Sequence, residues 1–159
     1  MCLLVFSEVS AAKSKKRAKN ETETFEEKFE LPHGDAQYVV LDLEDVKRIE
    51  IDGVVPKADW QLKFDILDDI SVYDDFRRDS LDGEYARVAG CDYLGQNYHK
   101  ILDSSVLNKY MEKGVTELLL VFKNRHYRKR SSVNIKVKYT YYKDGEAPVF
   151  DTGDDDDDE

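Results

Sequence analysis

Nucleophiles, bases and metal ligands are where chemistry would show first. Three histidines, His33, His99 and His126, stand in separate turn or loop contexts with no mutual spacing. Cys2 and Cys91 form neither a disulfide framework nor a metal-ligand spacing. No G-x-S-x-G, H-E-x-x-H or glycine-rich phosphate loop occurs. Asp68, Asp69, Asp74, Asp75, Asp79 and Asp82 crowd one stretch with the carboxylates a hard cation wants. The alternating ligands, central Gly and terminal Glu of a calcium loop are missing, however, and Arg77 and Arg78 interrupt the run. A solvated acidic loop is the simpler reading. Nothing here supplies a nucleophile with its base or a built metal cage. The sequence therefore predicts a non-enzymatic protein with no catalytic residues, no metal and no cofactor.

The basic residues are more informative. Eight Lys or Arg and no acidic residue lie between Lys123 and Lys143. Arg125, His126, Tyr127, Arg128, Lys129 and Arg130 are placed in the turn joining the last two predicted strands. Lys136 and Lys138 fall on the polar face of the final strand, beside Asn134, Thr140 and Tyr142. With Lys123 this predicts one continuous positive face on a hairpin, with Tyr127 and Tyr142 against it. Such a face suits phosphates, stacked bases or an acidic protein partner. Lysines on an exposed strand also discourage edge-to-edge aggregation, so the plain structural reading weighs about equally.

Charge is segregated elsewhere too. Lys13, Lys15, Lys16, Arg17 and Lys19 form a basic cluster in the polar segment 7–24, the pattern of an interaction arm. Nine acidic residues and no Lys or Arg lie from Asp144 to Glu159, including the run Asp154, Asp155, Asp156, Asp157, Asp158 and Glu159. Subtracting those nine from the formal −10 leaves −1 for the rest of the chain. An acidic segment following directly on the positive hairpin is expected to visit it, or the same face of a neighbour, less strongly as salt rises. Residues 65–84 carry eight acids against two arginines and offer the basic arm a negative surface. Opposite charges in separate blocks suit head-to-tail or arm-exchange assembly.

The elements that must position these groups read mainly as strands. Trp60–Ile66 and Val133–Tyr141 alternate apolar and polar residues, the pattern of half-buried strands. Trp60 falls on an apolar face, where core packing is the expectation. Phe25, Phe29 and Leu31 mark an earlier strand ended by Pro32-His33-Gly34-Asp35. Gln37–Leu43 and Val46–Ile51 read as two more, the second stopped by Asp52-Gly53. Leu118–Phe122 is apolar on both faces, as a doubly covered strand should be. Glu84–Ala89 is a weaker candidate, and Asp68–Gly83 is ambiguous. One helix is signalled, capped by Asp103, facing the core with Val106, Leu107, Tyr110 and Met111, and ended at Gly114.

Six to eight short strands with one late helix predict a mainly β domain. The layout is a single antiparallel β-sandwich (jelly-roll-like) or a partly open barrel with one short helix, carrying flexible charged N- and C-terminal segments. Residues 1–24 read as an extended arm, 25–143 as the β domain and 144–159 as an acidic tail. Met1–Phe6 is too short for a signal-peptide core, and no apolar run approaches the roughly 20 residues that span a bilayer. A virion or cytoplasmic location is expected, with no membrane partner.

A β-sandwich with a basic arm looks like many viral and phage capsid or head–tail components, a resemblance of architecture. It implies a structural protein that self-associates or joins other subunits. A basic, Tyr-bearing hairpin followed by an acidic tail resembles phage and bacterial single-strand-binding proteins, which implies an OB fold and binding to single-stranded nucleic acid. Here the run ends in Glu159 without an aromatic tip. Trp60 and ten tyrosines leave a carbohydrate- or protein-binding sandwich as a third reading.

Overall fold

The computed structural model describes residues 22–55, 62–78, 87–88, 93–95, 97–126 and 128–150. Among the described residues eight strands fold in the order β1 Thr22–Leu31, β2 Ala36–Asp42, β3 Val46–Val54, β4 Leu62–Leu67, β5 Tyr93–Gly95, β6 Asn97–Leu102, β7 Glu117–Asn124 and β8 Ser131–Tyr141. They form two antiparallel four-stranded sheets, one ordered β1-β8-β3-β6 and the other β2-β7-β4-β5. Every connection but the one from β4 to β5 crosses between the sheets. This is the eight-strand jelly roll, and it decides for the sandwich over the barrel.

The core lies between the sheets. Val133, Ile135, Val137 and Tyr139 of β8 point inward against Leu118, Leu120 and Phe122 of β7. Phe29, Ile49, Ile51, Phe64 and Ile66 complete the layer, each from alternate positions of its strand. Burial takes the Tyr139 hydroxyl well above the ordinary range, since its phenolate would be desolvated there; the neighbouring Tyr141 adds to this. Turn chemistry holds as read. Asp103 accepts the Val106 N–H at 3.1 Å and starts a helix at Ser104–Met111, and Gly114 past its end has a φ of 79°. Hydrogen bonds from Ser105 and the Val106 N–H hold the Asp103 carboxyl below the usual carboxylate range.

Four expectations need correction. β3 runs through Asp52-Gly53 to Val54, because the bare Cα of Gly53 receives the Phe64 ring in the core. The ambiguous acidic stretch holds a 3-10 turn, Ile70–Val72, and a first helix, α1, Tyr73–Arg78. The helix at Ser104–Met111 is therefore α2. Third, β4 is not half-buried, since Asp65 on its outer face is fully buried. The cover is α1 with its flanking turn, which lays Phe76, Val72 and Tyr73 on Ala36, Tyr38, Val40, Leu67, Leu119 and Val121 as a second small core. Burial pushes the Tyr73 hydroxyl up to about 12 there. Asp65 is compensated by Arg87 Nε at 3.3 Å and by the backbone N–H of Ile66. Fourth, β7 and β8 form no hairpin, because they belong to opposite sheets.

Trp60, Cys2, Cys91 and most of the Glu84–Ala89 candidate lie outside the described residues. Of that candidate, Arg87 forms an isolated bridge with Leu67.

Candidate interaction surface

The predicted positive face resolves into three parts with different surroundings. Lys123 is buried, its ammonium donating to the Arg77 carbonyl oxygen at the end of α1. It fastens the helix to the sheet.

Lys136 and Lys138 do lie on the outer face of β8. That strand is central, however, and its neighbours put carboxylates in register beside them. Glu26 of β1 and Asp52 of β3 flank Lys136, while Thr24 and Glu50 flank Lys138. Lys136 Nζ lies 3.3 Å from Glu26 Oε1 and Lys138 Nζ 3.9 Å from Glu50 Oε2. Arg48 also pairs with Glu50, and His99 Nδ1 forms a hydrogen bond with Asp52 Oδ1 at 2.5 Å. The row Glu26, Lys136, Asp52, His99 therefore alternates acid and base across four strands. Sequence reasoning could not see this, because each partner sits on a strand remote in the chain. The face is charge-balanced rather than positive.

The third part keeps its exposed positive charge. Arg125, Arg128, Lys129 and Arg130 are all exposed on the loop between β7 and β8. One buried residue organises it. Asn124 donates its amide to the carbonyl oxygens of Lys129 (2.7 Å), Leu31 (3.1 Å) and Pro32 (3.4 Å), and accepts the His126 N–H at 3.0 Å. Its backbone is also hydrogen-bonded to Gly34 and Asp35. His126 Nδ1 accepts the N–H groups of Arg128 and Lys129, each at 3.1 Å. His126 thus shapes the loop internally, and the turn bearing exposed His33 is laced to the same end of the sandwich. Asn124 had no signal in the sequence beyond its place next to the basic run. Tyr127 lies outside the described residues.

The remaining residues sit at the other end. Tyr142 continues β8 and donates its N–H to the Asp45 carbonyl oxygen in the β2–β3 turn; Lys47 lies over its ring. Thr22, where the N-terminal segment joins β1, pairs with Thr140. The arm cluster Lys13–Lys19 and the run Asp154–Glu159 lie outside the described residues, but their junctions are fixed. Both join the sandwich at the end of β8 opposite the basic loop, a strand length of roughly 35 Å away. The segment leading to the acidic run therefore starts at the far end of β8 from the loop, while the run itself lies outside the described residues.

Among the described residues no group of three or more His, Cys, Asp or Glu is placed to hold a metal ion. None of the described helices is long and apolar enough to cross a membrane.

No known protein family matches the chain, and no curated protein matches it in sequence. Among solved structures, the decameric BFDV capsid protein aligns with 74% of this chain and 94% of its own, at 9% identity and a TM-score of 0.42. A structure of Tomato Aspermy Virus aligns with 86% of this chain and 87% of its own, at 10% identity and a TM-score of 0.36. Likeness this low says nothing about function.

Proposed function

We propose that the chain is a non-enzymatic structural subunit that self-associates into a larger assembly, with a virion shell as the setting. Jelly rolls serve viral capsids, lectins and cupins alike, so the fold by itself assigns no role. The supporting observation is the direction the charge gives the sandwich. The exposed Arg125, Arg128, Lys129 and Arg130 occupy one end, and the segment leading to the acidic run leaves β8 at the other. Contacts between unlike ends repeat from copy to copy, closing into rings or extending as the angle dictates. The balanced outer face of the β1-β8-β3-β6 sheet is consistent with close approach of neighbours, because it presents no net repulsion.

Light scattering coupled to size exclusion, at about 50 mM and about 500 mM salt, tests this reading. Species above one chain at low salt that dissociate at high salt are the expected result. A strict 18.5 kDa monomer in all conditions overturns it.

One observation favours a second reading, binding of single-stranded nucleic acid: the four exposed Arg and Lys side chains of the loop. It is the weaker reading. Lys136 and Lys138, which would extend the track along the sheet, are engaged by carboxylates, and the OB-type barrel it implied is replaced by two separate sheets. The third reading, a carbohydrate- or protein-binding module, rested on Trp60, which lies outside the described residues, and on the tyrosines, of which Tyr98 and Tyr139 are buried in the core.

A further inference from the structure

We infer that the loop 125–130 is a receptor for the acidic run Asp154–Glu159 of a second copy of this chain; the inference rests on the assembly reading and names its contact. The loop is built for an anionic partner. Asn124 and His126 hydrogen-bond the backbone of His126, Arg128 and Lys129, which fixes the described part of the loop's path before anything binds. Arg128, Lys129 and Arg130 are left exposed on that fixed path, and a pre-ordered site loses less entropy on binding. Arginine forks match carboxylates in pairs, and the run supplies six consecutive ones.

Geometry selects the donor. Twelve residues lie between Tyr141 and Asp154, a span of at most about 45 Å when fully stretched. The loop of the same copy is roughly 35 Å away along β8, so reaching it requires a nearly straight return path. A second copy stacked end to end brings its own loop beside the point of departure. The other cationic candidate, the arm cluster Lys13–Lys19, joins at Thr22 next to Thr140, so a contact there closes within one copy and builds nothing.

Complementation tests the contact in the full-length chain. One variant reverses the receptor (Arg128→Glu, Lys129→Glu, Arg130→Glu), and the other neutralises the donor (Asp154 to Asp158→Asn, Glu159→Gln). Arg128, Lys129 and Arg130 are exposed, so their reversal leaves the core intact. Each variant alone is expected to sediment as a monomer. Mixed at low salt, the two should form a 1:1 species of twice the mass and no larger one, because only one donor–receptor pair is intact. A receptor-reversed chain that still self-associates would sink the inference, while leaving assembly standing. A wild-type chain that never associates sinks the assembly reading itself. Tight oligo-dT binding by the donor-neutralised chain, lost on loop reversal and without a 1:1 species, would give the loop to nucleic acid.

A second measurement needs no variant. Zero-length carbodiimide coupling of mixed isotope-labelled and unlabelled wild-type chains should join Lys129 to the acidic run between copies. Cross-links confined to single copies would overturn the inference.

Discussion

The ring of Phe64 lies so close to Gly53 that a methyl group at Gly53 would stand 2.8 Å from Phe64 Cε1. Tyr98, the cross-strand partner of Gly53, stacks on the ring at 4.9 Å and 10° and would itself stand 3.3 Å from that methyl group. Gly53→Ala therefore has nowhere to put its Cβ without moving a fully buried ring. The expected loss is about 2 kcal/mol, the cost of overpacking by a methyl group, measured as a lower urea midpoint at unchanged slope. An unaltered midpoint would show that the sheets separate easily at this point.

Asn124 should matter for stability more than any charged residue of its loop. Asn124→Ala removes the donor to the Leu31 and Lys129 carbonyls and the acceptor of His126 N–H. Buried groups left unpaired cost about 1–3 kcal/mol. Faster amide exchange at Arg128 and Lys129 should accompany the loss, whereas Arg130→Ala should leave both exchange and stability nearly unchanged.

Two carboxylates in apparently similar strand contexts should behave oppositely. Asp65 is fully buried against Arg87, which is 38% exposed. Asp65→Ala is expected to cost roughly 3 kcal/mol, the low end for breaking a buried pair because Arg87 is partly solvated. Glu26, paired with Lys136 on an open face, should cost under about 1 kcal/mol when replaced by Gln. Equal losses in chemical denaturation would contradict this account of the two sheets.

The cap of α2 gives a pH dependence with a definite sign. The folded-state carboxyl of Asp103 is held below its ordinary value of 3.8 by hydrogen bonds from Ser105 and Val106. Its contribution is complete above pH 3.8 and is lost as pH falls through the depressed folded value. Asp103→Ala should melt at a lower temperature than wild type at pH 7, and the gap should close as the pH is taken well below 3.8. A gap independent of pH would indicate that the helix start is held by packing alone.

Much of the fold was legible in the sequence. Alternation in Val133–Tyr141, the doubly apolar run Leu118–Phe122, and the signals at Pro32–Asp35, Asp103 and Gly114 report local backbone physics, and local physics is what a sequence encodes directly. So is the segregation of charge into an arm, a loop and an acidic run. The tertiary structure decided what those charges face. Lys136 and Lys138 meet Glu26, Asp52 and Glu50 only because β8 inserts between β1 and β3, strands about a hundred residues earlier in the chain. Lys123 is buried because α1 folds back over its sheet, and Asp65 is buried for the same reason. Placing β7 and β8 in opposite sheets turned the expected hairpin into a loop that links the two sheets at one tip. Pairing between distant strands depends on the whole set of sheet contacts at once, and no window of the sequence carries that information.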